Sequence, residues 1–352
     1  MPTLMKAVTF HEHGGPEKLI YEEVPLPQVG PDEVLVRVKA CALNHLDIWI
    51  RQGIPNYSIS LPHISGCDVS GVIDTVGTAY SGSLTPGQRV FVMPGISCGN
   101  CDDCLIGKEN RCSQFQILGA QRNGGYAKYV AVPAVNVLPM PENLTFEQAA
   151  AFPLVTLTAW HMVKSLANVQ PGESVLVMGA GSGVGSMAIQ MVNLLGARAL
   201  STVGTEDKKG KANLLGAEDV INHSTENVAD RVAALTNDRG VDVVIEHIGQ
   251  AVWNSCLNSL SRGGRMVTCG ATSGGAHQFD ARYLYSRQLT IMGSYMGTRD
   301  ELLEATRLIE AGTLRPILDT TFPLHEARVA QERMLERKNF GKIVLLPDPG
   351  EE

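Results

Sequence analysis

The sequence predicts an α/β protein in two parts, a compact and mostly antiparallel β domain joined to a doubly wound parallel sheet. Short β-rich runs broken by Pro and Gly extend to about residue 135, and beyond Pro171-Gly172 apolar strands alternate with amphipathic helices. Directly after the first of those strands comes a glycine-rich turn, Gly179-Ala180-Gly181-Ser182-Gly183-Val184-Gly185. At 352 residues the chain exceeds the usual size of one hydrophobic core, so two domains are expected.

In order along the chain, strands are predicted over 4–10, 33–43, 68–77, 88–93 and 125–132, with Val29-Gly30-Pro31 and Thr85-Pro86-Gly87 as punctuation. Asn143 and Thr145 offer N-cap chemistry, and helix-like spacing over 146–151 and 157–166 predicts a helical connector. The strand 174–178 and a helix from about Gly183 to Leu195 follow. Next come a strand at 197–203, a polar helix, a strand at 241–248, another helix and a strand at 264–270. Leu289 to Ser294 reads as the last strand of the parallel sheet. The tail, with helices near 300–311 and 324–338 and a strand at 341–346, loses the period and is expected to return to the first domain. The expected division is 1–152 with 294–352, and 153–293.

Hydrophobic content of 44% and 18% charged residues describe an ordinary globular chain. A net charge of −7 without long runs of one sign argues against a nucleic-acid surface and points to small-molecule partners. No stretch reads as a signal sequence or a membrane span, so a cytoplasmic protein is expected. Cys41, Cys67, Cys256 and Cys269 show no pairing pattern, which fits a reducing compartment.

The other four cysteines do show a pattern. Cys98-x2-Cys101-x2-Cys104-x7-Cys112, in a lobe of about 95–115, allows four thiolates to close on one tetrahedral zinc, with Gly107, Lys108 and Glu109 turning the chain back to supply the fourth. Four sulfurs leave no open position, so this ion is structural and catalysis is to be sought elsewhere.

The glycine-rich turn, opening a helix after a strand, predicts a dinucleotide site held by Ala180, Ser182, Gly183, Val184 and Gly185. An acid at the end of the next strand would accept hydrogen bonds from the adenosine ribose and repel a 2′-phosphate, but the chain there reads Thr202-Val203-Gly204-Thr205-Glu206-Asp207-Lys208-Lys209. Thr205 and Lys208 are the candidate 2′-phosphate contacts, favouring NADPH over NADH, although the lysines can also pair with Glu206 and Asp207.

The β-rich domain with a cysteine lobe, the dinucleotide fold and the returning tail together resemble the medium-chain dehydrogenase/reductase superfamily over essentially the whole chain. The resemblance implies a GroES-like catalytic domain, a Rossmann cofactor domain and a homodimer or homotetramer joined through the edge strand near Leu289 to Ser294. The lobe resembles that of the zinc alcohol dehydrogenases. At the positions of their catalytic zinc ligands and adjoining acid, this chain has Asn44, Cys67, Asp68 and Leu154; where they carry a proton relay it has Leu46 and Trp49. An amide, a thiol, a carboxylate and an alkyl chain make a poor zinc site. Ala42 to Asp47, Gly66-Cys67-Asp68 and the cofactor turn resemble instead the quinone reductase branch, which uses NADPH without metal, although its members usually lack the lobe.

These features predict hydride transfer from NADPH to a quinone, an enone or another activated double bond or carbonyl. Asn44, Trp49 and Thr156 are the candidate catalytic or substrate contacts, and His45 and Thr158 the further cofactor contacts. Each has an ordinary alternative: a strand-end amide, a core tryptophan, helix hydroxyls bonding their own backbone, a surface histidine. No side chain presents itself as a general acid, so the proton is expected from water. Two other readings stand beside this one: a zinc-dependent alcohol dehydrogenase using Cys67 and Asp68 with His45, His63 or Cys41, and a nucleotide-binding redox sensor.

Overall fold

The computed structural model describes residues 3–54 and 58–347. The chain divides into two units, Met1–Leu154 with Thr306–Glu352, and Val155–Ala305. The divisions fall at 154/155 and 305/306, against the expected 152/153 and 293/294.

In the first unit the long strand Glu33–Ala42 is the spine. It pairs antiparallel with Asp68–Val76, with Tyr129–Pro133, and with the last strand of the chain, Lys342–Leu346, which runs parallel to Leu318–Pro323. Alternating Val34, Val36, Val38 and Ala40 are fully or almost fully buried, the period-two signature of a strand pressed on a core. The register sets Ala42 opposite both Asp68 and Val344, so three chain segments remote in sequence end side by side. The strands Ile20–Pro25, Val137–Pro139 and Leu318–Pro323 are additional to those predicted. The run predicted at 125–132 is strand only over Tyr129–Pro133.

The second unit is a six-stranded parallel sheet. Its spatial order is Asp219–Asn222, Arg198–Val203, Ser174–Val177, Val241–Glu246, Leu260–Thr268 and Thr290–Gly293. The first strand in sequence lies in the interior and the order reverses beside it, the doubly wound arrangement. Val175, Leu176, Val177, Val243, Val244 and Ile245 are all inaccessible, as expected for strands covered on both faces. The single polar helix expected between 204 and 240 is instead two short helices, Lys209–Leu214 and Val228–Leu235, around the four-residue strand Asp219–Asn222. That strand is at the sheet edge and too short to leave a periodic trace.

The connector is helical as expected, beginning at Thr145, which caps Phe146–Ala151 in a reciprocal box with Gln148. Asn143 does not cap; its amide donates to the Ile309 and Glu310 carbonyls.

Candidate active site

Helix His45–Gln52 follows the spine strand directly, and Asp47 fixes its entry. The Asp47 carboxylate accepts from the Asn44 N–H at 2.7 Å, the Gly66 N–H at 3.1 Å and the Tyr126 hydroxyl at 3.0 Å. Burial raises its pKa to about 6, against the lowering effect of those donors. Gly66, at φ 99°, has no room for a side chain against Tyr126 and Cys41. Backbone at this junction is therefore pinned from three sides.

Asn44 then reaches a buried polar cluster. Its amide nitrogen donates to Asp68 Oδ2 at 2.9 Å and to Cys67 Sγ at 3.3 Å, and its Oδ1 accepts from Lys342 Nζ at 2.6 Å. Lys342 Nζ lies 2.9 Å from Asp68 Oδ2, and Asp68 Oδ1 accepts the Leu154 N–H at 2.8 Å. Asn44, Cys67, Asp68 and Lys342 are all buried. Lys342 is absent from the sequence-based candidates. The only trace it leaves is a charge at the head of an otherwise apolar final strand, and only the register places it beside Asp68.

The donor set at this cluster does not suit a zinc ion. Among the described residues its candidate ligands number just two, the Asp68 carboxylate and the Cys67 thiol, which burial, with the Asp68 and Asp47 carboxylates nearby, pushes well above its ordinary range. Both Asp68 oxygens are engaged, and an ammonium already supplies the compensating charge. His63, a helper in the zinc reading, spends Nε2 on the Gly119 carbonyl at 3.0 Å.

Exposed His45 opens the helix and half-buried Trp49 lies one turn on, their ring centroids 6.2 Å apart. Thr156 and Thr158 fall in the second unit on helix Pro153–Trp160, and both are buried. The Thr156 hydroxyl has no hydrogen-bond partner among the described residues.

The glycine-rich turn is built as its sequence implies. Ser182 caps helix Gly183–Leu194 by accepting the Gly185 N–H at 2.8 Å, and Ala180 donates its N–H to the Thr202 carbonyl at 2.8 Å. A methyl group on Gly185 would collide with the Gly179 carbonyl, which is the close helix-to-strand packing that requires glycine. Gly181 to Val184 remain partly accessible at the positive end of the helix, a fit for a pyrophosphate. At the end of the neighbouring strand Thr205 is exposed and bonds the Asp207 carboxylate, while Lys209 bridges Glu206 at 3.1 Å and Glu226 at 3.3 Å. Lys208 is half-buried there.

In the lobe, the four sulfurs of Cys98, Cys101, Cys104 and Cys112 lie within 4.8 Å of one another. Separations of 3.4, 3.5 and 3.9 Å bracket the edge of about 3.8 Å of a tetrahedron with metal–sulfur bonds of 2.3 Å. The residues fit a structural zinc, and the lobe contributes no group to the other clusters described.

A dinucleotide turn on a doubly wound sheet, in one chain with a β unit carrying a zinc-binding lobe, defines a nicotinamide-dependent oxidoreductase. The model of the alcohol dehydrogenase GroES-like domain matches residues 30–142, and that of the zinc-binding dehydrogenase matches 183–311. The quinone oxidoreductase of Sus scrofa is 32% identical, covering 97% of this chain and 98% of its own. A crystal structure of an NAD-dependent alcohol dehydrogenase is 43% identical with a TM-score of 0.94, covering 98% of this chain and all of that one. A crotonyl-CoA carboxylase/reductase in complex with NADP is 26% identical with a TM-score of 0.90, covering 100% and 96%. The chain belongs to the medium-chain dehydrogenase/reductase superfamily, whose GroES-like and Rossmann architecture it has, and it is an NAD(P)H-dependent oxidoreductase with a structural zinc site.

Proposed function

We propose that the protein is an NADPH-dependent reductase that delivers hydride to quinones, enones or other activated double bonds or carbonyls, without a catalytic zinc. The observation that carries this reading is the Lys342 ammonium, seated 2.6 Å from Asn44 Oδ1 and 2.9 Å from Asp68 Oδ2 at the positions where zinc alcohol dehydrogenases hold metal. A fixed ammonium repels a second cation and neutralises the buried carboxylate that a metal would otherwise serve. With no Lewis acid to polarise a simple carbonyl, the substrates favoured are those whose conjugation already makes a carbon electron-poor. Similarity to quinone oxidoreductases supports the same class.

Preference for NADPH rests on Thr205 and Lys208 at the end of strand Arg198–Val203, with no acid at the strand end itself. His45, Trp49, Thr156 and Thr158 keep their proposed roles as cofactor and substrate contacts. Asn44 has both amide hydrogens committed to Asp68 and Cys67, so its part is to hold the cluster together. The edge strand Thr290–Gly293, half-accessible with one side unpaired within the sheet, supports assembly as a homodimer or homotetramer. Small-molecule substrates and a cytoplasmic, reducing setting are part of the same proposal; no helix among the described residues is long and apolar enough to cross a membrane.

The second reading, oxidation of alcohols or reduction of simple carbonyls, is favoured by the 43% identity to the NAD-dependent alcohol dehydrogenase. Purified protein assayed with quinones, enones, enoyl thioesters, aldehydes and alcohols, using NADPH and NADH in parallel and counting metal, separates the two. One zinc per chain with turnover of conjugated acceptors supports the proposal. Two tightly held zincs, with alcohol oxidation lost when the second is removed, overturns it. Cofactor binding with no turnover of any class would favour a redox sensor.

A further inference from the structure

His247, immediately after strand Val241–Glu246, enters no motif in the sequence, yet its ring lies against the glycine-rich turn of the same unit. Its Nε2 is 2.9 Å from the Met178 carbonyl oxygen and 3.0 Å from Ser182 Oγ. A carbonyl oxygen can only accept, so Nε2 carries the proton, which fixes the tautomer. That proton is shared between Met178 O and Ser182 Oγ. Burial also pushes the histidine pKa below its ordinary value, against the pull of the Glu246 carboxylate.

Ser182 Oγ then accepts twice, from the Gly185 N–H at 2.8 Å and from His247 Nε2–H. A hydroxyl has two acceptor lone pairs and one hydrogen. With both lone pairs taken, only donation is left, and the Ser182 hydroxyl hydrogen has no acceptor among the described residues. It belongs to a half-exposed residue at the N-terminus of a twelve-residue helix, where backbone N–H groups and the helix dipole already favour an anion.

We propose that His247 is a positioning residue for the cofactor: by saturating the acceptor side of Ser182 it obliges the serine hydroxyl to donate to a pyrophosphate oxygen. Without the imidazole, the serine hydrogen can turn inward toward the Met178 carbonyl, and the turn loses a donor aimed at the phosphate. The proposal requires only that a nicotinamide dinucleotide binds at this turn, whichever 2′ substituent it carries.

The test is a double-mutant cycle on the full-length protein, reading dissociation constants for NADPH and NADH by calorimetry and the 31P shift of the bound pyrophosphate. Ser182→Ala is expected to weaken binding by roughly ten- to a hundredfold, the effect of losing one hydrogen bond to a charged group. His247→Ala should weaken both cofactors equally, by about three- to tenfold. Adding it to Ser182→Ala should weaken binding no further. His247→Gln, whose amide reaches the place of Nε2, should restore binding and the phosphorus shift. It also supplies the readout if His247→Ala fails to fold, monitored as the melting temperature without cofactor. Independent, multiplying losses at the two positions would overturn the proposal, as would an unchanged dissociation constant in His247→Ala. Equal losses for NADPH and NADH keep this test separate from the proposed 2′-phosphate preference.

Discussion

The Lys342 ammonium and the Asp68 carboxylate, 274 positions apart in sequence, form a buried ion pair at 2.9 Å. Removing one partner strands the other in a dry site. Lys342→Met is therefore expected to destabilise the protein by about 3–5 kcal/mol, while the double variant Lys342→Met with Asp68→Asn recovers most of that loss. Urea unfolding of the three proteins checks it; equal losses in the single and double variants would show that the ammonium does not serve the carboxylate.

Asp47 gives stability a pH dependence of definite sign. Its carboxyl pKa rises from 3.8 to about 6 on folding because burial disfavours the anion. The native state thus holds a proton that the unfolded chain gives up. This contribution is fully present below about pH 4 and is lost as pH rises through 6, a change of about 3 kcal/mol. Unfolding midpoints of Asp47→Asn, followed from about pH 4 to 6.5, should lack this downward slope; identical slopes in the parent and the variant would refute it.

Thiol counting separates the two cysteine populations. Cys41, Cys67 and Cys256 are buried, and partly accessible Cys269 has its thiol pushed up to about 12, so all four ionise far above neutrality and should resist a disulfide reagent in the native protein. Zinc should protect the lobe cysteines. A chelator that extracts the metal is expected to expose four reactive thiols, release one zinc per chain and lower the melting temperature. Reaction of Cys67 before chelation would contradict the closed cluster described above.

Lys208→Ala tests the cofactor preference. The dissociation constant for NADPH should rise by roughly tenfold or more, the cost of one charged phosphate contact, with NADH unaffected. Equal effects on both would assign Lys208 to the carboxylates around it.

Gly185→Ala tests the close packing of the turn. The added methyl must displace the Gly179 carbonyl, so binding of both cofactors should fall while the zinc content of the lobe is unchanged. Normal binding by this variant would mean that the turn yields at little cost.

What was legible in the sequence follows from the range of the interactions involved. The lobe and the glycine-rich turn are local: Cys98 to Cys112 and Gly179 to Gly185 carry their spacing with them, and the structure brings each set together. The long strands Glu33–Ala42 and Asp68–Val76 announced themselves as β-rich runs set off by Pro and Gly punctuation, whereas Asp219–Asn222 was too short to do so. Lys342 and His247 were silent because their partners are set by sheet register and by a strand end meeting a turn 65 residues away. Asn44 was singled out from its position, but its saturated amide could be known only once Lys342 and Asp68 stood beside it.

The discontinuous first unit also dictates an order of assembly during synthesis. Residues 155–305 form an uninterrupted stretch whose sheet can close as soon as it leaves the ribosome. The spine strand made long before can pair early with Asp68–Val76 and Tyr129–Pro133 but gains Lys342–Leu346 only at the end, and until then Asp68 lacks its counter-ion. In the nascent chain the earlier-made half is the last to mature, and that interval is when a chaperone would find it.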